Sequence, residues 1–145
     1  MHGGRCLCNG QACQEPGRIS WNNPSFRFLH VRFDGCICSD SAHKKCDCII
    51  FRFGRNFHMP VMFAIETKGK SPRLSEVKEQ IEFCIFTMQN LLPNLQYQFK
   101  VVPVLCAKRI TAHAKYAAFG NKVKVFGKKL LIALRRYDQD INSLV

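Results

Sequence analysis

The chain has 145 residues, the length of one domain, with 47% hydrophobic residues and 12 Phe, a composition that excludes a disordered chain. Twenty-two Lys and Arg oppose ten Asp and Glu, giving a net charge of +12 that excludes an acidic solvating protein and favours a polyanionic partner. The longest apolar runs, such as Leu130–Leu134, are strand-sized, which excludes a membrane-spanning helix and predicts a protein with no membrane partner.

Residues 1–25 are rich in Gly, Asn, Ser and Pro and read as an irregular, Cys-containing segment ahead of a single α/β domain over 26–145. Residues 26–33 (FRFLHVRF) alternate apolar and polar positions, which predicts a half-buried strand, with a continuation toward Cys38. A polar turn over 39–45 precedes a second strand at 46–53 (CDCIIFRF). After a turn at 54–60, residues 61–68 (VMFAIETK) are nearly continuous in apolar residues, as a central strand should be. Ser75 is the expected N-cap of a helix, with Glu76 and Glu79 in its first turn. Val77, Ile81, Cys84, Ile85, Met88 and Leu92 form its apolar stripe, and Pro93 ends it. A fourth strand is expected at 98–107, with Pro103 marking an edge or bulge. A short helix at 112–119 stops at Gly120, and two short strands, 122–126 and 130–134, flank a turn at Gly127-Lys128-Lys129. The order β-β-β-α-β-α-β(β) predicts an α/β fold with a mixed β-sheet flanked by helices.

Nine cysteines cannot all pair within one chain. Residues 1–5 are polar and lack the apolar core of a secretory signal. Together these predict a reducing, cytoplasmic compartment in which the cysteines are thiols or metal ligands.

Three charged residues stand out in the apolar strands: Asp47, Glu66 and Lys68. A carboxylate in a core strand is costly unless it is paired or metal-bound. Strand alternation puts Glu66 and Lys68 on one face, at the end where the strand leaves the core. If the second and third strands are hairpin neighbours, Asp47 lies beside them. Two carboxylates at one point make a hard-oxygen site for Mg²⁺ or Mn²⁺, and a neighbouring lysine holds a water or neutralises phosphate charge. The plain structural alternative is a salt bridge to Lys68 at a sheet edge.

Asp47 followed by Glu66-Thr67-Lys68 at the end of an apolar strand, then a helix, resembles the PD-(D/E)xK nuclease superfamily, whose members have a restriction-endonuclease-like core. The resemblance spans about residues 26–110. It implies a metal-dependent endonuclease in which Asp47 and Glu66 ligate the metal, the carbonyl of Thr67 completes the shell and Lys68 assists the attacking water. Gln80 falls where several members place a glutamine near the catalytic lysine. The chain departs from the pattern in carrying Cys46 where the motif has Pro, and Glu15 is the candidate for the upstream acid that many members add. Members with so small a core are often dimers, so a homodimer is compatible with the resemblance, as is a role in defence, restriction or repair.

A competing metal set is Cys36, Cys38, His43 and Cys46, with the spacing C-x-C-x₄-H-x₂-C, whose soft ligands suit Zn²⁺. Cys6, Cys8 and Cys13 are further candidates, and small hydrophobes packed in strands are the bland reading of the cysteines. On the zinc reading the chain is a zinc-stabilised nucleic-acid-binding module without catalysis. A third reading is an inactive nuclease-fold interaction protein.

From residue 101 onward nine basic residues face two acidic ones, Asp138 and Asp140, a local net of +7. Lys122 and Lys124 alternate on a strand, with Lys128 and Lys129 just beyond. With Lys70 and Arg73 near the candidate site, these residues form a candidate surface for a nucleic-acid backbone, DNA ahead of RNA.

Overall fold

Strand β4 (Val61–Lys68) lies inside a sheet that the chain assembles around it. The computed structural model describes residues 7–8, 25–39, 42, 44–55, 58–69, 72–137 and 139–144. A two-residue strand β1 (Leu7–Cys8) pairs with β2 (Phe26–Arg32), which pairs with β3 (Cys48–Gly54), which pairs with β4, all antiparallel. Helix α1 (Leu74–Leu91) and a short helix α2 (Leu95–Gln98) return the chain to β5 (Lys100–Ala107), parallel to β4. Helix α3 (Ala112–Gly120) and a hairpin of β6 (Val123–Val125) and β7 (Lys128–Leu130) lead to β8 (Ala133–Arg136), parallel to β5. The sheet order is β1-β2-β3-β4-β5-β8, a mixed sheet in an α/β fold.

One face of the sheet packs against α1 through Leu74, Val77, Ile81, Cys84, Ile85 and Met88, joined by Ala114 and Ala118 of α3 and by Val123 and Val125 of the hairpin. The other face buries Cys48, Ile50, Val61, Phe63, Ile65, Val104 and Cys106 beneath Ile141 of a 3₁₀ turn (Ile141–Leu144). Strand alternation explains the split, because odd and even residues of β4 point to opposite sides. Among the described residues no helix is long and apolar enough to cross a membrane.

Several expectations change. β2 stops at Arg32, and residues 33–38 form turns closed by a bridge between Asp34 and Cys38. β3 starts at Cys48, although the Asp47 amide still donates to the Ile65 carbonyl at 3.0 Å. The N-cap of α1 is Arg73, whose carbonyl accepts from the amides of Glu76 and Val77, so Ser75 is inside the helix. Leu92 is the C-cap and is exposed. Pro103 lies one residue before the β8 ladder begins at Val104, so one side of β5 is unpaired there and the missing amide hydrogen is tolerated. The hairpin turn is Phe126-Gly127, both at positive φ (50° and 76°), as a two-residue turn matching strand twist requires. Residues 131–132 separate β7 from β8, which replaces the single expected strand at 130–134.

The cysteine expectation is also corrected. Cys46 and Cys84 form a disulfide, with their Cα atoms 6.1 Å apart, inside the normal bridging range. Cys36 is disulfide-bonded as well. The helical stripe and the approach to β3 bring Cys84 and Cys46 into the same core layer, a proximity across 38 positions that spacing alone does not reveal. Cys38, Cys48 and Cys106 are free thiols.

Candidate active site

The antiparallel register of β3 and β4 pairs Cys48 with Ile65, so Asp47 and Glu66 follow at the same end of the two strands. Asp47 Oδ2 accepts a hydrogen bond from the Thr67 amide at 2.7 Å and another from the Thr67 hydroxyl. That double anchor fixes the Asp47 carboxylate against the residue next to Glu66. Glu66 is only 3% exposed. Its Oε1 accepts from Lys68 Nζ at 3.0 Å and from Gln80 Nε2 at 3.1 Å. Its Oε2 is buried and has no hydrogen-bond partner, and neither does the buried Oε1 of Gln80.

Burial, reinforced by the Asp47 charge, raises the Glu66 pKa to about 7 against the opposing pull of Lys68 and Gln80. A carboxylate that keeps one oxygen unpartnered in a low-dielectric setting is expensive unless a proton or cation meets it. The site therefore holds Glu66 where a positive charge has most to stabilise.

Helix α1 supplies the third wall. Gln80 is half-buried, and its Nε2 also donates to the Lys45 carbonyl at 3.1 Å, tying the helix to the residues just before Asp47. The Cys46–Cys84 disulfide makes a second tie one helical turn further along. The Lys68 carbonyl accepts from the Tyr137 hydroxyl at 2.6 Å and from the Lys108 amide at 3.4 Å, so the end of β4 is held from its other side too. Tyr137 lies 69 positions from Lys68, and no sequence signal joins them.

The expected quartet Asp47, Glu66, Lys68 and Gln80 thus converges, with Thr67 between the two carboxylates. Two carboxylates with a backbone carbonyl fit the way Mg²⁺ is commonly held, by one or two protein carboxylates plus waters and substrate phosphate. The unpartnered, buried Glu66 Oε2 is the observation in favour of that fit. Among the described residues no three His, Cys, Asp or Glu side chains gather into a metal-binding group. The Cys36, Cys38, His43 and Cys46 set is not brought together as four ligands. Cys46 is bonded to Cys84, Cys36 is disulfide-bonded and His43 lies outside the described residues.

Lys70, Glu15, Cys6 and Cys13 also lie outside the described residues. Arg73 is exposed at the start of α1. Lys122, Lys124, Lys128 and Lys129 are exposed on and beside the β6–β7 hairpin. That hairpin docks on α1 where the Lys124 amide donates to Glu82 Oε1 at 2.9 Å. Glu82 is about 200° around the helix axis from Gln80, so these lysines sit on the far flank of α1 from Glu66.

The row nearest the site is a different one. Register pairs Lys68 with Ala107 and Ala107 with Arg136, so Lys68 and Arg136 occupy equivalent positions on parallel strands and point to the same face. No family model, curated protein or solved structure matches the chain.

Proposed function

We propose that the protein is a metal-dependent nuclease with a restriction-endonuclease-like core, hydrolysing phosphodiester bonds in DNA, with RNA as the alternative substrate. The element order supports this reading. Three antiparallel strands, a helix and a parallel strand carry Asp47, Glu66, Lys68 and Gln80 to one end of the sheet. The observation that carries it is Glu66, buried to 3% exposure, with one oxygen paired and the other without a donor, next to a second carboxylate. A merely structural ion pair would need only the contact with Lys68.

Asp47, Glu66 and the Thr67 carbonyl would hold Mg²⁺ or Mn²⁺. The ion, when bound, stabilises charge that develops on the phosphoryl oxygens. Lys68 places its ammonium 3.0 Å from Glu66 Oε1, where it orients water or neutralises a phosphate oxygen. Gln80 fixes the Glu66 carboxylate by donating to the same oxygen. Thr67 fixes Asp47 by donating from both its amide and its hydroxyl.

The test is a cleavage assay on linear, branched and single-stranded DNA and on RNA, with Mg²⁺ and with Mn²⁺. Wild type cuts at least one substrate, and Lys68→Ala loses about 10²-fold or more in rate, the scale of removing one preorganised electrostatic group. A folded wild type that cuts nothing with either ion would return Glu66 and Lys68 to a structural role.

A further inference from the structure

Helix α3 is inverted by size. It turns its smallest side chains inward, with Ala114 and Ala118 each 4% exposed. Its largest point outward: Tyr116 is 80% exposed and Phe119 65%. The two rings are i, i+3 neighbours on the outer face, which puts their Cβ atoms about 5–6 Å apart. A helix that only packs would place such apolar area against the core and polar groups in water. Two adjacent rings held in water are area kept for a ligand that arrives from outside.

Charge identifies that ligand. Between Glu82 and Asp138 the chain has ten Lys and Arg and no Asp or Glu. Lys115 is exposed beside Tyr116, and Lys122, exposed three residues after Phe119, leads into the β6–β7 hairpin. Val123 and Val125 are buried in the α1 core, so Lys124 between them points out. Register sets Lys124 directly opposite Lys129. Like charges facing each other across a strand pair cost stability, and a polyanion laid over them removes that cost. Glu82, beneath the hairpin, is already engaged: it accepts from the Lys124 amide at 2.9 Å and lies 4.0 Å from Lys78 Nζ. Rings set among lysines suit a ligand with flat apolar faces and negative charge along its length. A nucleic-acid strand with its bases unpaired is such a ligand, whereas a duplex hides its base faces and leaves both rings in water.

We propose that α3 and the β6–β7 hairpin form a platform for single-stranded DNA, in which bases stack on Tyr116 and Phe119 and phosphates lie on Lys122, Lys124 and Lys129. Only the choice of DNA rests on the nuclease reading, since the platform uses neither Glu66 nor a metal. Both elements follow from the end of the sheet that carries the candidate site: β5 ends at Ala107, which pairs with Lys68, and α3 starts at Ala112. The hairpin lies on the far flank of α1 from Glu66, so the platform holds a strand beyond the scissile bond.

Fluorescence anisotropy on labelled single-stranded DNA tests this, in EDTA so that nothing is cut, with duplex DNA and single-stranded RNA of the same sequence as comparators. Tyr116→Ala and Phe119→Ala should each bind single-stranded DNA about tenfold more weakly, the scale of one stacked base, with an unchanged salt slope. Neither should change duplex binding, and Tyr116→Phe, which keeps the ring, should bind as wild type does. Lys124→Ala should make the plot of log affinity against log salt shallower by about 0.7, one phosphate contact on a single strand. The control is Tyr97→Ala, which removes a ring 75% exposed in α2, at the opposite, amino-terminal end of β5, and should match wild type. Far-UV circular dichroism of each variant confirms folding, since every changed side chain is exposed.

Wild-type affinity in both ring variants would overturn the platform, as would an equal loss in Tyr97→Ala, a loss in Tyr116→Phe, tighter binding of duplex or RNA, or no binding at all. Sedimentation of the free wild type as a dimer that Phe119→Ala dissociates would overturn it too, and would assign the rings to a second copy of the chain. The two readings fail separately. Cleavage by wild type with unaltered binding in the ring variants removes the platform and leaves the nuclease. Ring-dependent binding without cleavage in Mg²⁺ or Mn²⁺ does the reverse.

Discussion

Strand β4 presents two different surfaces from one backbone. Toward α1 it shows Met62, Ala64, then Glu66 and Lys68, and the polar pair is met by Gln80 from the helix. Toward the other face it shows Val61, Phe63 and Ile65, packed on Ile50, Val104, Cys106 and Ile141 with no charge among them. Even the thiols there stay protonated: burial pushes Cys106 up to about 12 and Cys48 well above its ordinary value. Arg52, a charge on that side, sits at the far end of the sheet, its guanidinium 4.1 Å above the Phe26 ring and bonded to Asn142 Oδ1 at 3.4 Å. Burial is similar on both faces. What separates them is the polar partner that a neighbouring element offers, which for Glu66 is Gln80 of α1.

The sharpest way to break this comparison is to move the carboxylate by one residue. Ile65 is fully buried on the apolar face, among Cys48, Ile50, Val61, Phe63 and Val104. Ile65→Glu puts the same functional group among apolar side chains, on the face of β4 away from Gln80. The expected cost exceeds about 4 kcal/mol, enough to consume most of a small domain's stability. A urea titration followed by near-UV circular dichroism should show no cooperative transition at 25 °C. A well-folded Ile65→Glu protein would mean that the Gln80 environment is nothing special.

The cysteines divide along the same line. Cys46 and Cys84 are joined on the α1 side, whereas Cys48 and Cys106 are free and buried on the other. Replacing both Cys46 and Cys84 by Ala removes a cross-link across 38 positions, worth about 4 kcal/mol on loop entropy alone. Replacing Cys48 and Cys106 by Ala removes only packing, about 1 kcal/mol each. Urea midpoints compare the two double variants directly. Equal losses would show that the bond adds nothing beyond its sulfur atoms.

How much of this was legible in the sequence depends on how far apart the partners are. β4 and its charged end were readable because apolar runs and alternation are local signals. The pairing of Asp47 with Glu66 followed from treating neighbouring strands as a hairpin. Gln80 was reachable through its place on the amphipathic helix. The disulfide was not, because Cys46 and Cys84 belong to different elements and meet only once α1 packs on the sheet. The same holds for Tyr137 on Lys68 and for Arg136 in its row, since both depend on β8 pairing with β5 and not continuing the β6–β7 hairpin. Local capping also misled: Ser75 has the right chemistry, but the carbonyl of Arg73 already closes the first helical turn.

The smallest expected effect is the most specific to Glu66. Its pKa in the folded protein is about 7, against 4.5 for the ordinary group. The folded state therefore keeps a proton that the unfolded chain has released over that interval. Because the folded state binds more protons, stability falls as pH rises, starting near 4.5 and finishing just above 7. A gap of this size corresponds to about 3 kcal/mol. Urea unfolding of the protein in EDTA, repeated from pH 4.5 to 8, should trace that decline. Glu66→Gln, which cannot titrate, should flatten it. Other carboxylates contribute to the raw curve, so the difference between the two proteins isolates Glu66. Parallel curves would mean that Glu66 titrates as an ordinary solvated carboxylate, and the contrast between the two faces of β4 would then lose its electrostatic content.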